Sequence, residues 1–214
     1  MNFIRLSLFI VFFLVSCSDS KKEKINPKDR EVTNELKKTD VFYFDSSSAK
    51  IIWNGFKTTD KIKVTGQFLE FHSSRNMKEY SSLEELIEGL DFEIYTNSSE
   101  SGDAVRDLNL KDYFFNKLTE NFTLSGTLGK VVDGVIPVTF ETLLGSKTVY
   151  LNYSFDNKNL VQIKGVIDIK NDLGALTAFD SIHTKCEQLH TGGDGVSKTW
   201  GDVEVLIKVP IITN

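Results

Sequence analysis

Eight segments of this chain alternate apolar and polar residues with a period of two. That period places every apolar side chain on one face of a strand and every polar one on the other. The segments lie at 49–57, 61–68, 90–96, 122–128, 136–144, 147–155, 160–169 and 203–211. In the second, Ile62, Val64, Gly66 and Phe68 oppose Lys61, Lys63, Thr65 and Gln67. In the last, Val203, Val205, Ile207 and Val209 oppose Glu204 and Lys208. Strands of this kind build an antiparallel sheet wetted on one side. An open eight-stranded sheet carries two exposed edges, and closure into a barrel removes them. Turn residues at Thr58-Thr59-Asp60, Asp133-Gly134, Gly145-Ser146 and Asn157-Lys158-Asn159 suit hairpin links. Gly66, Gly126 and Gly165 fall on inward positions in mid-strand, where a barrel wall bends. The reading is all-β with minor helices: an eight-stranded antiparallel β-barrel, with a β-sandwich as the alternative.

Three helical stretches interrupt the strands. A capping box, Ser81-x-x-Glu84 or Ser82-x-x-Glu85, predicts a helix over 81–90, with Gly89 as the stop. A short helical turn is expected at 112–118 and a third helix at 175–189.

An eight-stranded barrel is wide enough for its own side chains or for one small ligand. The inward residues here are large and apolar, and on this parity no inward strand position is charged. An apolar ligand enters such a space without leaving a polar group unpaired. A solid core produces the same alternation. The candidate wall residues are Trp53, Phe68, Phe92, Phe122, Leu124, Phe140, Leu151, Tyr153 and Ile163. Phe114, Phe115, Leu176 and Phe179 are placed to close the ends.

The N-terminus reads as an address. One basic residue, Arg5, precedes the ten-residue apolar run Leu6 to Val15. A membrane-spanning helix needs about 20 such residues, so the run fits a secretory h-region instead. It ends in Leu14-Val15-Ser16-Cys17, which resembles a bacterial lipobox. The expectation is a lipoprotein signal peptide at 1–16, lipid attachment at Cys17, and a charged flexible tether at 17–40. Residues 18–40, as a coil, reach roughly 25–30 Å. The folded domain is then 41–214, held on a membrane of the bacterial cell envelope, facing the periplasm or the cell surface.

Chemistry-bearing residues are scarce. Three histidines and two cysteines leave little material for a catalytic or metal centre, and the net charge of -5 gives no footprint for nucleic acid. No nucleophile elbow or phosphate loop is present. The chain reads as a non-enzyme without a cofactor. One constellation stands out: His183, Cys186 and His190, at spacing His-x2-Cys-x3-His, share a face if 175–189 is one helix. Zinc and copper accept those ligands, so a metal- or haem-binding envelope protein is the alternative function. Packing is the other reading, since Phe179, Ile182 and Leu189 lie on the same side. Arg106-Asp107 reads as a ligand clamp at the barrel mouth or a local ion pair.

The order of segments resembles the YceI-like family of lipid-binding, lipocalin-like barrels. The matching residues are Ile51-Ile52-Trp53-Asn54-Gly55-Phe56-Lys57, then Gly66-x-Phe68, then Val105-Arg106-Asp107-Leu108-Asn109-Leu110 leading into Tyr113-Phe114-Phe115. Gly126-Thr127-Leu128, the strand holding Asn152, and Gly165-Val166-Ile167-Asp168-Ile169 continue the likeness, which covers 49–212. The resemblance implies an antiparallel lipocalin-like barrel with an apolar channel for a polyisoprenoid or similar amphiphile, and a periplasmic location. It assigns no catalytic activity. Three departures stand against it: the lipid anchor; Val64-Thr65-Gly66, where a histidine often precedes the glycine; and the C-terminal run from Cys186 to Trp200. The expected function is an envelope lipoprotein that binds or carries an apolar lipid, with no nucleic acid partner. The rivals are the metal-binding protein and a structural or interaction lipoprotein with a solid core.

Overall fold

The computed structural model describes residues 40–213. The expected signal peptide, Cys17 and nearly all of the expected tether lie outside the described residues.

All eight expected strands form. In chain order the strands are β1 (Phe42–Tyr43), β2 (Lys50–Lys57), β3 (Ile62–Phe68), β4 (Phe71–Ser73), β5 (Asp91–Tyr95), β6 (Ser99–Glu100), β7 (Thr123–Leu128), β8 (Val135–Thr142), β9 (Gly145–Phe155), β10 (Leu160–Asp168), β11 (Asp202–Pro210) and β12 (Ile212–Thr213). Ten of them make one antiparallel sheet in the order β4-β5-β7-β8-β9-β10-β11-β2-β3-β6, and β1 pairs with β12. The sheet therefore has ten strands and not eight. The reason is local. The β3 chain path breaks at Leu69-Glu70 and resumes as β4, while a 3-10 turn at Thr96–Ser98 splits β5 from β6. Across both breaks the Leu69 N–H donates to Ser98 O and the Tyr95 N–H to Glu70 O, each at 3.2 Å. These two chain paths meet at both ends of the strand order, so the sheet curls upon itself.

The inward glycines are explained by their neighbours. Gly66 pairs with Trp53, Gly126 adjoins Phe92 across the ladder, and Gly165 sits against Leu151. A Cβ added to each would lie 2.2 Å from the indole, 2.5 Å from the Phe92 ring and 2.7 Å from a Leu151 methyl. The large side chains of one strand thus lie over the bare backbone of the next.

Helices close the two ends. α1 (Leu83–Ile87) begins at Ser82, whose hydroxyl accepts from the Glu85 N–H at 3.1 Å. This is the second of the two capping alternatives. The helix is shorter than 81–90, and it buries Leu86 and Ile87. Phe44 and Ile211 are buried with them. The other end carries α2 (Ala104–Leu110), a π-helical turn (Lys111–Phe115) and α3 (Asn116–Leu118), which together form a helical run longer than the single turn expected at 112–118. Asp103 caps α2 by accepting from the N–H groups of Val105 and Arg106. α4 (Leu176–Lys185) stops four residues before the expected end, and a separate 3-10 turn covers Gln188–His190.

Candidate functional site

The curled sheet encloses a cavity of about 550 Å³. Native cores hold few voids larger than a water molecule, and an engineered apolar cavity of roughly 150 Å³ already binds benzene. The solid-core reading therefore fails. The cavity falls within the usual range of ligand pockets. A second observation agrees. Val203, Val205, Ile207 and Val209 all lie on the inward side of β11 and line the cavity, yet none is fully buried.

Ten of the thirteen candidate residues line this space: Trp53, Phe68, Phe92, Phe114, Phe115, Leu124, Phe140, Leu151, Ile163 and Phe179. Phe122, Tyr153 and Leu176 do not. Phe122 precedes β7, and its φ of 58° turns it out of the strand's alternation. Tyr153 has the right parity but packs against the core without reaching the cavity, and burial pushes its phenol up to about 12, helped by the nearby Glu84. Leu176 opens α4 and is exposed. Trp53 lies over Gly66, and its indole N–H is buried with no acceptor among the described residues.

The cavity has one polar end. Lys57, Asp103, Arg106, Asn109, His190 and Thr199 line it where β2, α2 and the loop after α4 meet. Lys57 corrects the expectation that no inward position is charged. It follows Ile51, Trp53 and Gly55 on the same parity, so the alternation itself would have identified it. Arg106 pairs with Asp103 at 3.3 Å, not with its neighbour Asp107, and donates to Ser101 O and Oγ. The Asp103 carboxyl is held below its ordinary value first by the Arg106 backbone N–H, with Arg106 and Lys57 charges adding to it.

The metal constellation does not assemble. His183 ends up on α4 and His190 on the 3-10 turn, so the single helix face is lost. Both Nδ1 atoms bond one hydroxyl, Thr199 Oγ1, at 2.9 and 2.6 Å. A hydroxyl can donate to one imidazole and accept from the other. Cys186 is buried, and the Asn109 amide donates to its Sγ at 4.0 Å. Burial raises the thiol above its ordinary value, which disfavours the thiolate that metal binding requires. Among the described residues no three His, Cys, Asp or Glu side chains are grouped to hold an ion.

His190 gives a testable pH dependence. Burial, reinforced by Lys57, His183 and Arg106, pushes its imidazole down to about 4. An unfolded chain binds that proton near pH 6.5, so between these values the unfolded state holds more protons. Stability is full above about pH 6.5 and is lost as pH falls toward 4. Thermal melts of the wild type from pH 7 to 4.5 are expected to show a loss of about 2 kcal/mol from this group. His190→Gln is expected to flatten that slope, and an unchanged slope would reject the assignment.

The architecture is an antiparallel sheet curled around an apolar pocket with one polar end, of lipocalin-like form. The chain matches no protein-family model and no curated protein. Solved structures do match. A polyisoprenoid-binding domain from Saccharophagus degradans, implicated in plant cell wall breakdown, superposes with a TM-score of 0.54 at 13% identity, over 79% of this chain and 96% of that one. BcnA of Burkholderia cenocepacia gives 0.46 at 13% identity, over 79% and 99%. A Campylobacter jejuni YCEI protein gives 0.46 at 17% identity, over 71% and 85%. The superposition on the Saccharophagus domain shows the fold that the sequence resemblance implies.

Proposed function

We propose that this protein is an envelope lipoprotein whose eight-stranded barrel, counting β3–β4 and β5–β6 as single bent strands, binds or carries an apolar lipid of the polyisoprenoid type. The observation that carries the reading is the 550 Å³ apolar cavity within the curled sheet. Burial of a hydrocarbon tail drives binding at about 25 cal/mol per Å² of apolar surface. The fold shared with the Saccharophagus polyisoprenoid-binding domain supports the ligand class. The role is one of binding, not catalysis, and it involves no nucleic acid.

The lipobox-like Leu14-Val15-Ser16-Cys17 supports a signal peptide over 1–16 and an acyl anchor on Cys17 in the cell envelope. Two or more acyl chains, each contributing about 0.8 kcal/mol per buried CH₂, hold a protein stably on a bilayer.

Mass spectrometry of protein made in a bacterial host tests both parts. Under native conditions we expect a noncovalent organic-soluble adduct that leaves on denaturation. The denatured chain is expected to begin at Cys17 and to carry acyl mass there. A bare native mass that stays bare after added isoprenoids would reject the carrier role. An unmodified Met1 or Ser18 start would reject the anchor.

A further inference from the structure

We propose that the polar end of the cavity binds one anionic headgroup, so that the ligand is an amphiphile with an apolar tail and a carboxylate or phosphate at one end. The inference rests on the lipid-binding reading and specifies its ligand.

The apolar body of the cavity needs no charge, yet the inward face of β2 ends in Lys57. Among the described residues the Lys57 ammonium makes no hydrogen bond and no ion pair, unlike Lys61 and Lys63, which face Asp202 and Glu204. An ordinary surface lysine would occupy the opposite parity. The next inward position, Gly55, has no atom within 4 Å of where a Cβ would stand, so the space beside Lys57 is open. The ammonium charge also reaches across the mouth, where it acts on His190, Cys186 and Asp103.

Arg106 is the second cation at this end. Its three hydrogen bonds leave two of its five N–H donors unused, the Nε one among them. Among the described residues Asp103 is the one carboxylate lining the cavity, and it is matched by Arg106. One positive charge remains at the head of a hydrocarbon-lined space. A neutral headgroup leaves that charge uncompensated, whereas a single carboxylate or a monoanionic phosphate neutralises it. Hydrogen bonds to an ionised group are roughly twice as strong as those between neutral groups.

Matched pairs of ligands that differ only in the head test this on the full chain, stripped of endogenous lipid. Hexadecanoate is compared with hexadecan-1-ol, and farnesyl monophosphate with farnesol, with Trp fluorescence as the readout. The anion is expected to bind about tenfold tighter or better than its alcohol in at least one pair. In Lys57→Met that ratio is expected to fall to near one, and Lys57→Arg is expected to restore it. Far-UV circular dichroism confirms that both variants fold. A Lys57-dependent preference in the fatty acid pair alone points to acyl carboxylates, and in the prenyl pair alone to phosphates. Equal binding of acid and alcohol by the wild type overturns the inference and leaves the lipid-binding reading standing. So does a preference that survives in Lys57→Met. Failure of all four chains to bind overturns both.

Discussion

Gly126→Ala is expected to destabilise the fold by about 3 kcal/mol or more, a large share of the total stability of a domain this size. The added methyl would lie 2.4 Å from Thr139 O and 2.5 Å from the end of the Phe92 ring. The ring can swing into the cavity, but the carbonyl cannot move freely. Thr139 belongs to β8, locked in register by Thr127↔Thr139 and Gly126↔Phe140 on one side and Thr139↔Thr148 on the other. Displacing that carbonyl strains ladders on both sides of β8. Overpacking that moves only side chains typically costs about 1–3 kcal/mol, and a clash with backbone belongs at or above the top of that range. Gly55→Ala is the control. It also sits on the inward side of a strand, but its Cβ would meet nothing within 4 Å. Its expected change is within about 0.5 kcal/mol. Urea denaturation midpoints of the two variants measure the contrast, and similar midpoints would show that the sheet has room at Gly126.

Period-two alternation carries most of this fold. Each of the eight strands lies where its apolar parity places it, because a one-residue slip would turn every side chain to the wrong face. What the alternation could not reveal were the four short strands. Phe71–Ser73 and Ser99–Glu100 are two or three residues long, too few to repeat a period. Their pairing is decided by chain paths that bend, not by local pattern. The helical ends were harder to read for a related reason. α2 lacks a clean apolar stripe, with Val105 and Leu108 exposed, though Asp103 was available as an N-cap signal. The C-terminal shortening of α4 separates His190 from His183, which a helical wheel cannot foresee.

The cavity walls were legible for the same reason as the strands, and the misses are informative. Phe122 fell one residue outside its strand, where backbone geometry overrides parity. Lys57 shares the parity of Ile51, Trp53 and Gly55, and it is the charged end of a face that is otherwise apolar. Parity reports which side chains share a face, not whether the enclosed space is filled. The enclosed volume, lined by the partly exposed inward residues of β11, is what distinguishes a pocket from a packed core.

Those residues also supply the sharpest test of where the ligand sits. Val205→Trp is expected to abolish most binding while leaving the fold intact. Val205 stands between Trp53 on β2 and Gly165 on β10, points into the cavity and is not fully buried. A new indole there has open space to enter, so it should not force strands apart as a methyl at Gly126 would. Once inside, it occupies wall that a lipid tail would otherwise contact. Tryptophan covers about 150–250 Å². At about 25 cal/mol per Å², loss of roughly 150 Å² of tail contact costs about 4 kcal/mol, close to a thousandfold in affinity. Ile207→Trp, on the same face two residues on and paired with Ile51, is expected to act in the same direction. Titration with a radiolabelled isoprenoid measures both, alongside thermal melts. Unaltered affinity in variants that still melt cooperatively would place the ligand outside the sheet, because no tail could share the interior with either indole at no cost.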